Sequence, residues 1–286
     1  MIRKYIRNVV IVFLVFGGLW FLFHRTEINS LGDAMALIQE DGTKLMASLR
    51  DVSFEPRATN RDTIRIASFD LNDFHDGKLE TIKTGEILVQ IFQQFEIIAV
   101  QGIQSSDHDA LPRLMDQLRQ ADEGFDYVIS PRSSHTAVNH QFAFIYNKRF
   151  VELERAQVYT VQDPDDVLCH DPLVGWFSVK TGTDDAFTFS LVNVRIDPTN
   201  HQTEIGYLQK IKLAVKSDGH QEDDVILLGS FQENSIALHQ RQALPAYDYV
   251  ITRNTTDLAG LKQISNIAFS IQATSEFTGR TGVFDF

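Results

Sequence analysis

The sequence predicts an α/β fold: two mixed β-sheets packed face to face with helices outside, preceded by one transmembrane helix. Three observations predict it. From Thr63 onward, short runs rich in β-branched and aromatic residues alternate with amphipathic segments, and consecutive strands are joined by helices in some places and hairpins in others. Sheets built that way contain both parallel and antiparallel pairs. The strands also outnumber what one open sheet usually holds, and stacking two sheets buries them most simply. Finally, an unbroken apolar run, VVIVFLVFGGLWFLF, precedes the body from Val9 to Phe23.

Tyr5 and Ile6 lengthen that run to nearly the ~20 residues that a bilayer core requires, and it is apolar on every face, unlike a helix on a globular surface. Arg3, Lys4 and Arg7 precede it, whereas Glu27 and Asp33 soon follow His24 and Arg25. The positive-inside bias then favours a cytoplasmic N-terminus and a single-pass membrane protein with an exported C-terminal domain. Secretion after signal-peptide cleavage is the alternative; no small-x-small site directly follows Phe23, which favours a retained anchor. Residues 1–25 therefore read as the anchor and 26–62 as a helical stalk and linker. Ile28, Leu31, Met35, Ile38, Leu45, Leu49 and Val52 keep a three-four spacing broken at Gly42. Self-association through 28–52 would show this pattern, as would an amphipathic helix lying on the body or the membrane. EPRATNRD, 55–62, has Pro56, mixed charge and no apolar period, and reads as the linker.

The body, 63–286, opens on a strand, TIRIASFD. Ile87, Leu88, Ile91, Phe92 and Phe95 then mark a helix face, EIIAVQG a buried strand, and Leu111, Leu114, Met115 and Leu118 a second helix. FDYVIS, QFAFIYN, VELERAQVYTV, LVGWFSV and AFTFSLVNV follow as strands, with NKR and TDD as turns. A third helix is placed by Leu208, Ile211 and Val215, capped near Thr199 or Asn200. DDVILLGSFQEN, YDYVITR and ISNIAFS supply the last strands. Polar pairs recur at the C-terminal ends of strands: Asp70 with Asn72, Gln101 with Gln104, Asn193 with Arg195, Ser230 with Gln232. If these ends converge they line one cleft.

Composition narrows the function. With 43% hydrophobic and 22% charged residues, the 286-residue chain can bury one large core. Its net charge of -12 disfavours nucleic acid as a non-specific partner, because each phosphate contact needs a local cation. Cys169 stands alone, so neither an intrachain disulfide nor a cysteine zinc site can form.

The motif order from about Ile64 to Phe286 resembles the endonuclease/exonuclease/phosphatase superfamily, the DNase I-like metal-dependent phosphodiesterases. IRIASFD is similar to the family's opening strand ending in Ser-Phe-Asn, and IIAVQGI to its strand ending in Gln-Glu-Val or Gln-Glu-Ile. FDYVISPR with HQFAFIYN resembles its Tyr-bearing hairpin, and DPDDVLCHDPLVGWFSV the segment that usually carries Arg-Glu-Pro. FTFSLVNVRIDP resembles the strand ending in Asn-Ile-His, and DDVILLGSFQEN the strand ending in Gly-Asp-Phe-Asn. The resemblance implies a four-layer α/β sandwich. It also implies Mg²⁺ held by very few carboxylates, with a His helping to activate water and an Asp and Asn pair positioning nucleophile and phosphate.

Carried over position by position, that chemistry is displaced. The family's metal-binding Glu is Gly102 and its His is Arg195, which stays protonated and cannot act as a general base. The Asp and Asn of the Gly-Asp-Phe-Asn strand are Ser230 and Gln232. Asp70 stands for the Asn of the first motif and is the residue left to touch a metal; Phe142 replaces the hairpin Tyr; Asn193 is retained; Asn266 matches a position where the family often has Asp-Asn or Asp-Arg. The family continues past the point matching Phe286 to a Ser-Asp-His motif, so the resemblance implies a degenerate, C-terminally truncated member, with a sheet edge left open to a protein partner. The expectation is a membrane-anchored pseudoenzyme without an intact catalytic residue or a cofactor, binding a ligand or partner. The alternatives are a weak phosphodiesterase or nuclease using Asp70 with Mg²⁺, and a non-functional truncated gene copy. Arg132 and Arg195 could bind phosphate, against which Arg195 could pair with Asp197 or Asp70. Glu233 is expected to point out of the cleft, and His135 with His140 to form a solvated or hydrogen-bonded loop rather than a metal site.

Overall fold

Strands whose alternate residues are both apolar can only sit between two layers, and most strands here have that composition. The computed structural model describes residues 8–15, 63–80, 83–104, 109–132, 140–180, 186–257 and 260–284. In chain order the elements are β1 (Asn8–Val15), β2 (Thr63–Phe74), α1 (Asp76–Leu79), α2 (Thr84–Phe92), β3 (Ile97–Gln104), α3 (Ala110–Ala121), β4 (Phe125–Ile129) and β5 (His140–Asn147). Then come β6 (Val151–Leu153), β7 (Tyr159–Thr160), β8 (Leu173–Val179), β9 (Thr188–Arg195), α4 (His201–Ile205), α5 (Leu208–Lys216), β10 (Val225–Ser230), α6 (Ser235–Gln240), β11 (Asp248–Tyr249), β12 (Ser265–Phe269) and β13 (Phe277–Phe284).

Two mixed sheets result, as expected. One is six-stranded in the order β13-β1-β2-β3-β5-β4; the other is seven-stranded in the order β11-β12-β10-β9-β8-β6, with β7 on β8. Side chains segregate with period two. On β2, Ile64 and Ile66 enter the layer between the sheets with Phe144, Phe177, Phe189, Leu228 and Ile267, while Ala67 and Phe69 join the helix-side core with Phe92, Leu114 and Ile145. On β10, Ile226 and Leu228 face between the sheets, and Val225 and Leu227 pack beneath α5 with Leu208, Ile211 and Val215. The layers therefore run helix, sheet, sheet, helix.

Several expectations change. The apolar run expected to be a transmembrane helix is described over Asn8–Val15, and there it is a strand, parallel to both β2 and β13. Among the described residues no helix is long and apolar enough to cross a membrane. The physical reason is that an apolar run without polar interruption suits a buried strand as well as a helix, and β-branched residues at Val9, Val10, Ile11 and Val12 favour the strand. The rest of the 1–25 anchor, and the 26–62 stalk and linker, lie outside the described residues. The expected third helix is divided: α4 ends at Ile205, Gly206 follows, and α5 begins at Leu208. VELERAQVYTV is likewise two short strands, β6 and β7, and β13 was not anticipated as a strand.

Candidate functional site

The strand ends converge. Gln101 at the end of β3 donates from Nε2 to Asn193 Oδ1 on β9 at 2.7 Å, and Asn193 Nδ2 reaches back to the carbonyls of Val100 (3.0 Å) and Ala143 (3.2 Å). Ser68 Oγ donates to Gln101 Oε1 at 3.3 Å. Ser68, Gln101 and Asn193 are all buried, so this network ties the two sheets together beneath the cleft and leaves no amide group unmatched. Its role is to position the floor.

Above the floor, the end of β2 is bent by a register shift between Asp70 and Phe74, and Asn72 (φ 45°) and Asp73 (φ 64°) are both left-handed. Two successive non-glycine residues in that region are strained, at about 1–3 kcal/mol each. The bend aims Asp70 and Asp73 into the cleft. Asp70 Oδ2 accepts from Arg195 Nε at 3.2 Å, and Asp70 Oδ1 accepts the Asn72 backbone N–H at 2.8 Å. Arg195 Nη1 also meets His140 Nδ1 at 3.0 Å and His170 Nε2 at 3.5 Å. A guanidinium is donor-only, so both ring nitrogens must accept and both imidazoles are neutral on that side. Burial, then the Arg195 charge, pushes His170 down to about 4 and lowers His140 as well. The other nitrogen of His140 is held by Asp73, whereas His170 Nδ1 is buried without a partner.

Gly102 sits directly behind Asp70. Its φ is +71°, and a Cβ there would lie 2.5 Å from Asp70 Oδ1 and 2.8 Å from Asn72 N. In the other sheet, Gly229 (φ +144°) lets β10 approach β9 so closely that a Cβ would stand 1.8 Å from the Val194 carbonyl oxygen. Ser230 follows, fully buried, and its Oγ accepts from Gln232 Nε2 at 2.7 Å. Gln232 is itself left-handed (φ 59°). Phe142 is buried with its ring edge-on to His170, 6.2 Å between centroids. Arg132 is exposed and lines a small cavity of about 40 Å³ with His140 and Phe142.

Comparison with known proteins fits this arrangement. Human deoxyribonuclease gamma is 31% identical over 174 residues, 59% of this chain and 56% of that protein. Bovine (Bos taurus) deoxyribonuclease-1-like 1 is 27% identical over 191 residues, 65% of this chain and 58% of its own length. The matched stretch thus spans little more than half of these curated relatives. A Bacteroides thetaiotaomicron endonuclease/exonuclease/phosphatase family protein shares the fold at a TM-score of 0.52 and 15% identity, over 72% of this chain and 82% of its own. The mannosyl-6-phosphatase Bt3783 from the same organism also gives 0.52, at 14% identity, over 72% and 84%. In sequence the chain is similar to DNase I-like deoxyribonucleases, and its fold is that of the endonuclease/exonuclease/phosphatase proteins. No family model matches it.

Where the resemblance puts the family's metal, the donor set fits a divalent ion poorly. Gly102 offers no ligand, Ser230 and Gln232 are neutral and bonded to each other, and the carboxylate of Asp70 is already engaged by a guanidinium and a backbone N–H. A hard cation needs anionic oxygens free to turn toward it. Asn266 is structural: its Oδ1 accepts from the backbone N–H groups of Ile251 and Ile267, and its Nδ2 donates to Ile251 O. Glu233 is held by Arg241 Nε at 2.8 Å, near His201. His135 lies outside the described residues. The structure pairs Arg195 with Asp70, one of the alternatives read from the sequence, sets Ser230 opposite Arg195 on the adjacent strand, and links Asn193 to Gln101. Sequence reasoning missed His170 altogether and the contact of His140 with Arg195; CHDP, standing where the family carries Arg-Glu-Pro, was the available signal for His170.

Proposed function

We propose that this chain is a phosphodiesterase-type domain that has lost hydrolytic competence and keeps the superfamily fold to bind a ligand or partner. The observation that carries the reading is the Arg195–Asp70 ion pair, 3.2 Å between Nε and Oδ2, in the place where a metal and a general base would have to act. Arg195 cannot take a proton from water. His140, the candidate to replace it, is engaged at both ring nitrogens, by Arg195 and by Asp73. His170 is buried and its Nε2 faces Arg195. One positioned acid or base is worth about 10²- to 10⁴-fold and a catalytic metal several kcal/mol, and this cleft offers neither in working form. Binding is proposed through the old cleft or through a sheet edge such as β4 or β13, which end the six-stranded sheet.

The competing reading is a weak metal-dependent nuclease using Asp70, favoured by the 31% identity to a protein named deoxyribonuclease gamma. One assay separates them. The full chain is incubated with DNA and with a plain phosphodiester in Mg²⁺ and in Mn²⁺, beside an Asp70→Ala variant. The expected result is no turnover above buffer in any condition. Metal-dependent turnover that disappears in Asp70→Ala would establish the nuclease reading and end the pseudoenzyme one.

A further inference from the structure

At the far end of β10 from the cleft, three consecutive acids immediately precede the strand. Glu222, Asp223 and Asp224 place one carboxylate oxygen each within 4.8 Å of one another. Such a cluster on a surface would only repel itself into water, yet Glu222 is 9% exposed and Asp224 8%, while Asp223 between them is exposed. Among the described residues, no Lys, Arg or His forms an ion pair with any of the three. A second observation is independent of the carboxylates. Thr274, in the turn after β12, is 2% exposed, and its Oγ1 is buried without a hydrogen bond of normal geometry although the hydroxyl lies close enough to act on the Asp224 carboxyl. Asp224 Oδ1 is buried and unpartnered too. Glu276 adds a further negative charge toward Asp224.

Glu222 is already aimed. Its Oε1 accepts the Asp224 backbone N–H at 3.0 Å and its Oε2 accepts Trp176 Nε1 at 3.2 Å, which fixes the carboxylate and leaves each oxygen a further lone pair. Buried donors and acceptors without partners normally cost stability and are uncommon in native proteins. Buried oxygens of one sign are thus gathered immediately before β10.

We infer that Glu222, Asp223, Asp224 and Thr274 form a binding site for a hard divalent cation, Ca²⁺ in preference to Mg²⁺. The preference follows from ligand number: several protein oxygens from two segments suit the flexible, high coordination of Ca²⁺, whereas Mg²⁺ keeps most of its water and takes one or two carboxylates. The site is separate from the cleft, since Asp224 and Ser230 are the two ends of one extended run, roughly 20 Å apart. A bound ion would clasp the start of β10 to the turn after β12.

The test is a calorimetric titration of the full chain with CaCl₂ and, separately, MgCl₂, paired with thermal melts. The expected result is one Ca²⁺ site, a higher Tm with Ca²⁺ than with Mg²⁺, at least tenfold weaker Ca²⁺ binding in Asp224→Asn and weaker binding in Thr274→Val. Asp70→Asn, in the cleft, should leave the titration unchanged. Thr274→Val keeps the test open if Asp224→Asn does not fold, because it is nearly isosteric. No heat and no Tm shift at millimolar Ca²⁺ would overturn the inference. So would binding that survives Asp224→Asn and Thr274→Val, or that is lost in Asp70→Asn.

Discussion

Gly102 stands where the resemblance puts the family's metal-binding Glu, and the backbone there suits no other residue. Its φ of +71° suits glycine, and the space a Cβ would need is taken by Asp70 Oδ1 and Asn72 N. The substitution is therefore not reversed by restoring one side chain. Gly102→Glu is expected to destabilise the chain by about 1–3 kcal/mol, from the left-handed φ and the displaced Asp70 segment together, and to gain no Mg²⁺ binding. A denaturant melt and an Mg²⁺ titration check both halves; an unchanged melting midpoint with new Mg²⁺ affinity would mean that the Asp70–Asn72 bend yields easily. The identities of the altered positions were readable from the sequence because strand, Gly and Phe around them serve the fold and keep the register recognisable. The repacking was not. Nothing in local pattern chooses Asp70 over Asp197 as the partner of Arg195, or says that His170, far away in sequence, comes to face the same guanidinium, since these are contacts between separate elements.

β1 shows the same limit one level up. The body's helices were legible from apolar periodicity, and Leu111, Leu114, Met115 and Leu118 are all buried on α3. An unbroken apolar run has no such period, so its length, its apolarity on every face and its basic flank decided for a membrane helix, whereas backbone pairing places it between β2 and β13, with Ile11 opposite both Ile66 and Thr281. These uses exclude each other for the same residues. Proline at 11 would break ladder hydrogen bonds in an interior strand. Ile11→Pro is thus expected to lower the Tm of the body by several degrees, read by thermal melt of the full chain. If the run spans a bilayer instead, the body's Tm in detergent or vesicles would not move. Short strands such as β7 and β11 were over-extended in sequence because flanking aromatics, among them Tyr247, are buried in a loop rather than in a ladder.

For the whole molecule, two buried groups at opposite ends of the second sheet's central strands give opposite pH dependence. His170 is held at about 4 in the fold by burial, Arg195 and His140, only partly offset by Asp197 and Asp70. Its unfolded value is near 6.5, so the unfolded chain takes the proton first, and the stability present above pH 6.5 is lost as pH falls toward 4. Asp224 is raised to about 6 by burial and by Glu222, Glu276 and Asp223. A raised carboxyl acts the other way: its contribution is full below its unfolded value near 3.8 and is lost as pH rises through about 6. Between pH 6.5 and 4.5 each term changes by about 2 kcal/mol, with opposite sign, so in the native chain they nearly cancel. His140, lowered in the same direction as His170, leaves a residual loss on acidification. Removing one partner should expose the other. Across that interval His170→Gln is expected to lose about 2 kcal/mol less than the parent chain, and Asp224→Asn about 2 kcal/mol more, in urea midpoints converted at a common m-value. A His170→Gln variant with the parent's pH slope would mean that His170 titrates as it does in water, and the neutral imidazole assigned beside Arg195 would have to be given up.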